Sequence, residues 1–316
     1  MAPETVIRII CILSSRRRSA LSELSMIDYN PIKQFKIYQA GHCTHPGCVA
    51  EKGCGIEPRE FPAYVALIEH ERYGLILFDT GYDPEFFVQT RSFPESLYAR
   101  TTPVTLPVPL VEQLLADGID QKDIRHLVLS HFHADHIAGL KRFTEATFVA
   151  DERGYRKLMM MGRWRQVMQG FLKGLLPSDF ESRTAFVNDY TDSVRSILRL
   201  DAWKYCNLQA APLFKDGSTY LVNLPGHAAG HIGLLFRMNG KWVLLCGDAY
   251  WTQGNLDPGG NRRPSWLARL IMDSPRQFDT TLDAIVRLRR DAGDRLTVIG
   301  SHDSSIAQGS PALEFV

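Results

Sequence analysis

The chain has 316 residues, 45% of them hydrophobic, enough for one large domain or two ordinary ones with a substantial buried core. Lys and Arg number 36 against 35 Asp and Glu, so the formal net charge is +1; no strong field is available to attract a phosphate backbone, and nucleic acid is not an expected partner. Six cysteines, at positions 11, 43, 48, 54, 206 and 246, are too few for a disulfide scaffold and fit a reducing compartment, so a cytoplasmic location is expected.

No apolar stretch reaches the length of a membrane span. Val6 to Leu13 is apolar and Arg16-Arg17-Arg18 follows it, the reverse of the order in a secretory signal. Residues 1–34 are therefore expected to form a weakly ordered extension, with Met26 as an alternative start. From Phe35 onward, short β-like runs are separated by turn residues. Lys36 to Tyr38, Ala63 to Ile68 and Leu75 to Phe78 read as strands, the last ending at Asp79-Thr80-Gly81. Between the first two lie Cys43, Cys48 and Cys54 with His42 and His45; their spacings match no zinc ribbon or finger, so an irregular loop with free thiols is expected.

His126 to Leu129 is a further strand and leads into Ser130 and a histidine run; Thr147 to Ala150 follows. Glu152 to Leu176 carries Leu158, Met159, Met160, Met161, Trp164, Val167, Met168 and Phe171, a helical stretch apolar enough to be core or a lid over an apolar substrate. A helical insertion is placed at 152–200. Tyr220 to Asn223 is a strand, and Ile232 to Arg237 with Trp242 to Cys246 flanks Asn239-Gly240, the signature of a type I′ hairpin. Between Ser274-Pro275 and Gly293, the residues Phe278, Leu282, Ile285 and Leu288 recur at helical intervals, and Leu296 to Ile299 is the last strand. Strands before and after the middle helices suit two stacked sheets, an α+β fold spanning 35–316.

The run His131-Phe132-His133-Ala134-Asp135-His136 concentrates chemistry. Imidazoles two residues apart at a strand end lie on the same side, and Asp135 and His136 continue on a tight turn, so four ligands from six residues converge on a small volume. Neutral imidazole suits zinc, while a carboxylate adds a hard ligand that also tolerates iron, manganese or cobalt. Three further ligands follow strands: His227 in Leu224-Pro225-Gly226-His227, Asp248 in Cys246-Gly247-Asp248, and His302 in Gly300-Ser301-His302-Asp303.

This order of HxHxDH, Gly-His, Gly-Asp and Ser-His resembles the metallo-β-lactamase superfamily from about Phe35 to the end. The resemblance implies a four-layer αβ/βα sandwich holding two divalent metal ions, most simply zinc. One metal would take His131, His133 and His227, the second Asp135, His136 and His302, with Asp248 bridging. Asp79 would orient the metal-binding loop from behind. Ala40-Gly41-His42-Cys43, Phe61-Pro62, Asp79-Thr80-Gly81-Tyr82 and Ser301-His302-Asp303 are similar to the N-acyl homoserine lactonases and related lactone hydrolases.

That resemblance implies a monomer or homodimer acting on a small lactone or ester. Hydroxide generated at the metals would be the nucleophile, and Asp248 would shuttle a proton to the leaving alkoxide. The lactonases place a tyrosine three residues after the bridging aspartate, where it meets the substrate carbonyl; here that position is Trp251. Either Tyr250, one residue earlier, takes over the role through a loop shift or the substrate differs; on the first reading the expected catalytic set is Asp135, Asp248 and Tyr250. The alternatives are a thioesterase or glyoxalase II-like hydrolase and, in another class, a non-hydrolytic iron protein for redox or sensing.

Overall fold

Phe61 to Ile68 is buried without interruption, which in a strand requires cover on both faces. The computed structural model, which describes residues 30–200 and 208–306, supplies that cover. Along this strand Val65 and Leu67 belong to one apolar cluster and Ala66 and Ile68 to another. The second cluster lies between two sheets, where Phe35, Ile68, Ile76 and Phe78 meet Leu221, Ile232, Leu234 and Phe236. The first continues over the outer faces, where helices pack. The result is an α+β four-layer sandwich, as the sequence implied.

Among the described residues the first sheet contains β1 (Ile32–Pro46), β2 (Pro58–His70), β3 (Gly74–Phe78), β4 (Val104–Thr105), β5 (Ile124–Val128), β6 (Thr147–Asp151) and β7 (Thr184–Val187), in the order β4-β1-β2-β3-β5-β6-β7. The second contains β8 (Asp192–Ser193), β9 (Gln209–Pro212), β10 (Thr219–Asn223), β11 (Ile232–Met238), β12 (Lys241–Leu245) and β13 (Leu296–Ile299), in the order β13-β12-β11-β10-β9-β8. β3 and β5 are parallel neighbours, as are β12 and β13, while β10 and β12 both run antiparallel to β11. Within each sheet, then, the strands that lead into the candidate ligands share a direction.

The hairpin turn at Asn239-Gly240 has φ of 48° and 78°, the positive values its residues favour. The helix Pro275–Ala292 starts on Ser274, whose side chain accepts from the Gln277 N–H, and stops at Gly293 with φ 55°. Its buried face carries Phe278, Leu282, Ile285 and Leu288, as the periodicity requires.

Several expectations are corrected. β1 begins at Ile32, so the strand takes in residues assigned to the extension; residues 1–29, with Met26, lie outside the described residues. His42, Cys43 and His45 belong to β1 and not to an irregular loop; an irregularity between Gln39 and His42 breaks the alternation that marks a strand. The insertion at 152–200 is not purely helical, because it also contributes the edge strands β7 and β8, whose pairing comes from distant neighbours. Its apolar residues divide: Leu158, Met161 and Val167 are buried, while Met159, Met160, Trp164 and Met168 face solvent.

Candidate metal centre

The parallel pair β3 and β5 brings Asp79 and Ser130 side by side beyond their strand ends. Asp79 is fully buried with φ 65°, a left-handed conformation that aspartate tolerates better than most residues. Its Oδ1 accepts from the Ser130 N–H at 2.7 Å and its Oδ2 from the Ser130 hydroxyl at 2.8 Å. His136 Nδ1 lies 2.8 Å from the same Oδ2. Asp79 therefore fixes the far side of the His136 ring and leaves Nε2 for another partner, the role the sequence assigned it. Thr80 holds the same turn, its N–H donating to the His136 carbonyl at 2.8 Å.

After Ser130 the chain runs through His131 and His133 into the one-turn helix Ala134–Ile137. His131 Nε2 lies 2.9 Å from His133 Nδ1, which is 3.0 Å from His227 Nε2. His227 arrives on the loop after β10. Gly226 lets that loop press on the helix Pro275–Ala292, since a Cβ there would fall 2.1 Å from the Phe278 nitrogen. Asp248, beyond β12, places Oδ2 3.2 Å from His227 Nε2 and 3.1 Å from His302 Nε2. On the other side, His302 Nε2 is 3.4 Å and His136 Nε2 3.7 Å from Asp135 Oδ2. His302 is aimed by its Nδ1, 2.7 Å from the Pro62 carbonyl.

The donors fall into two groups: His131, His133, His227 and Asp248, and Asp135, His136 and His302. All seven sequence-predicted ligands are thus brought together. Tetrahedral zinc with bonds of about 2.0–2.1 Å separates neighbouring donors by roughly 3.3 Å, close to the 2.9, 3.0 and 3.2 Å of the first group. Burial, reinforced by neighbouring imidazoles, holds His131 and His133 well below the ordinary histidine range, keeping them in the neutral form that ligates metal. His136 Nε2 and Asp248 Oδ1 are buried without hydrogen-bond partners and lie 3.3 Å apart, an arrangement that a cation between them would satisfy. The residues present fit divalent metal. The cysteines of the 43–54 region form no such group among the described residues; Cys43, Cys48 and Cys54 are free thiols.

The donors stand at the inner end of a cavity of about 390 Å³. Its walls include Phe61 and Trp251 near the centre and Val167, Met168, Leu267 and Ile271 farther along. Met168 is 70% exposed and Leu267 and Ile271 are each 41% exposed, so the outer part is an open apolar channel.

A family model described as the metallo-beta-lactamase superfamily matches residues 58–296. The chain belongs to this superfamily. Among its relatives are the probable metallo-hydrolase Rv2300c of Mycobacterium tuberculosis, 29% identical over 269 residues, covering 78% of this chain and 76% of the relative. N-acyl homoserine lactonase AttM of Agrobacterium fabrum is 27% identical over 203 residues, covering 63% of this chain and 62% of the relative. The fold is shared with an N-acyl homoserine lactone hydrolase solved with the product N-hexanoyl-L-homoserine at its catalytic metal centre; the TM-score is 0.66 at 16% identity, over 89% of this chain and 98% of that one. The dizinc quorum-quenching lactonase AidC aligns with a TM-score of 0.55 at 13% identity, over 88% of this chain and 92% of that one.

Within this superfamily member, Tyr250 does not take the place expected of it. Its side chain is fully buried, and its hydroxyl donates toward the Val298 carbonyl at 3.2 Å and Asp303 Oδ2 at 3.1 Å while accepting from the Gly300 N–H at 2.9 Å. It ties the turn before His302 to the loop after Asp248. Trp251 faces the cavity instead, and its indole N–H donates to Asp248 Oδ2 at 3.3 Å.

Sequence reasoning missed His231. Its Nδ1 lies 2.8 Å from the Leu224 carbonyl, and its Nε2 accepts from the Asp248 N–H at 3.1 Å, so one ring links the two loops carrying His227 and Asp248. Only its spacing of four from His227 hints at a role. Burial lowers its pKa to about 3, with the neighbouring His227 adding to the effect. The unfolded chain protonates this ring near 6.5, so it contributes acid sensitivity: stability falls as pH drops from about 6.5 toward 3. The substitution His231→Leu strands both partners and is expected to cost about 2–4 kcal/mol at neutral pH. Urea unfolding measures this loss, and a variant as stable as the wild type would contradict the assignment.

Proposed function

We propose that this centre holds two divalent ions and opens a lactone ring. The observation that carries the reading is the Asp248 carboxylate, whose Oδ2 lies within 3.2 Å of one ligand from each donor group at the inner end of a largely apolar cavity. Bound divalent ions supply Lewis acidity toward a carbonyl oxygen and toward water. The chain's own residues do the rest. Asp79, His231 and Trp251 hold candidate ligands in place, and Asp248, whose carboxylate lies between the two donor groups, is the group proposed to take a proton and return it to the leaving alkoxide. Phe61 and Trp251 limit water around the reacting ester. The channel of Val167, Met168, Leu267 and Ile271 suits an apolar tail, and the likeness to a named lactonase supports the substrate class.

The test is a hydrolysis panel with metal analysis of the purified protein. N-hexanoyl homoserine lactone, an acyl thioester, a β-lactam and a phosphodiester are compared. Nearly two metal equivalents and a preference of at least about tenfold in kcat/KM for the lactone, roughly 1.4 kcal/mol of transition-state discrimination, are expected. Preference for the thioester would move the assignment to the glyoxalase II-like reading, and a coloured iron centre without hydrolysis would overturn it.

A further inference from the structure

We propose that Tyr98 is the hydrogen-bond donor that meets the carbonyl oxygen of the substrate, an assignment that rests on the hydrolase reading above. Three tyrosines stand around the centre. The Tyr250 hydroxyl is tied to Val298, Gly300 and Asp303, and Tyr82 is fully buried, with its ring edge-on to Phe86. The Tyr98 side chain lines the cavity with His133, Asp135 and Asp248, and its hydroxyl has no hydrogen-bond partner among the described residues. A buried phenol facing a reaction cavity with its donor unused is a polar group held for a ligand.

Its position is set by packing. Tyr98 lies on the helix Glu95–Thr101, and its ring meets Phe86 edge-on at 5.6 Å. Gly170 separates it from the first donor group: a Cβ at Gly170 would lie 3.6 Å from the Tyr98 hydroxyl and 3.5 Å from the His133 ring. The φ of 76° at Gly170 disfavours any larger residue, so hydroxyl and ligand ring border one gap that no side chain fills. An ordinary phenol, with pKa near 10, is protonated at neutral pH and donates without itself ionising. Such a donor interacts more strongly with the oxyanion that forms when the carbonyl is attacked than with the carbonyl itself, which raises kcat.

Tyr98→Phe keeps the ring on Phe86 and removes the oxygen alone. With N-hexanoyl homoserine lactone as substrate, kcat is expected to fall roughly 10²-fold with KM changed by no more than about twofold. Metal content and the unfolding midpoint stay at wild-type values. Binding of the ring-opened N-hexanoyl-L-homoserine to the wild type produces a tyrosine difference absorption that is absent in the variant. Wild-type kcat in Tyr98→Phe, or a difference spectrum that survives the substitution, overturns the assignment. A wild type that gives the Tyr98-dependent spectrum yet hydrolyses no ester overturns the lactonase reading and leaves the donor assignment standing.

Discussion

Removing divalent metal with a strong chelator is expected to abolish hydrolysis and to lower the thermal unfolding midpoint. The candidate ligands His131, His133, His227, Asp248, Asp135, His136 and His302 are brought together by four separate strand ends in the folded chain, an arrangement the unfolded chain lacks, so metal would bind the folded state. An ion present at 1,000 times its dissociation constant stabilises by about 4 kcal/mol, and for a domain of this size that corresponds to roughly 10 °C. Calorimetry on chelated and reconstituted protein, with turnover measured in parallel, checks both effects. Full activity after metal removal, or an unchanged midpoint, would falsify the metal-centre reading.

The second large effect is expected at Asp79, which need not touch metal or substrate. Asp79→Ala removes the acceptor of the Ser130 N–H, the Ser130 hydroxyl and the His136 ring together, and it places alanine at φ 65°. Removing one partner from a buried charged network costs roughly 3–5 kcal/mol, and losing the group that orients a ligand weakens metal binding about 10–100-fold. Asp79→Asn retains a hydrogen-bonding side chain and tolerates the left-handed backbone, so its loss of stability is smaller while its metal affinity still falls. Denaturant unfolding of metal-free protein isolates the first effect and chelator competition the second. If Asp79→Ala bound metal as tightly as the wild type, Asp79 would have no part in orienting His136.

Much of the candidate centre was legible because its candidate ligands are dense in the sequence. His131 to His136 supplies four of the seven within six residues, and His227, Asp248 and His302 each follow a strand that its own apolar run announces. The neighbouring shell was less legible. His231 shows no pattern that separates it from a packed histidine, and its role exists only because Leu224 and Asp248 flank it in space. Tyr98 lies 33 residues before His131, in a helix whose composition reveals nothing of the cavity it faces. Tyr250 misled for the opposite reason. Proximity to Asp248 in the chain placed it near the chemistry, but beyond the tight turn Gly247–Ala249 Tyr250 points inward and Trp251 faces the cavity.

By itself the sequence determined the α+β class, most strand positions, the hairpin at Asn239-Gly240, the capped helix Pro275–Ala292 and the candidate ligand residues that the fold gathers. These depend on local periodicity, turn chemistry and residue type, all of which act over a few positions. Tertiary structure alone decided that His231 links the loops carrying His227 and Asp248, and that β7 and β8 form sheet edges inside an apparently helical insertion. It also decided which aromatic residues face the cavity and which hold it together. Those outcomes depend on strand direction and on contacts between segments far apart in the chain, which no local pattern encodes.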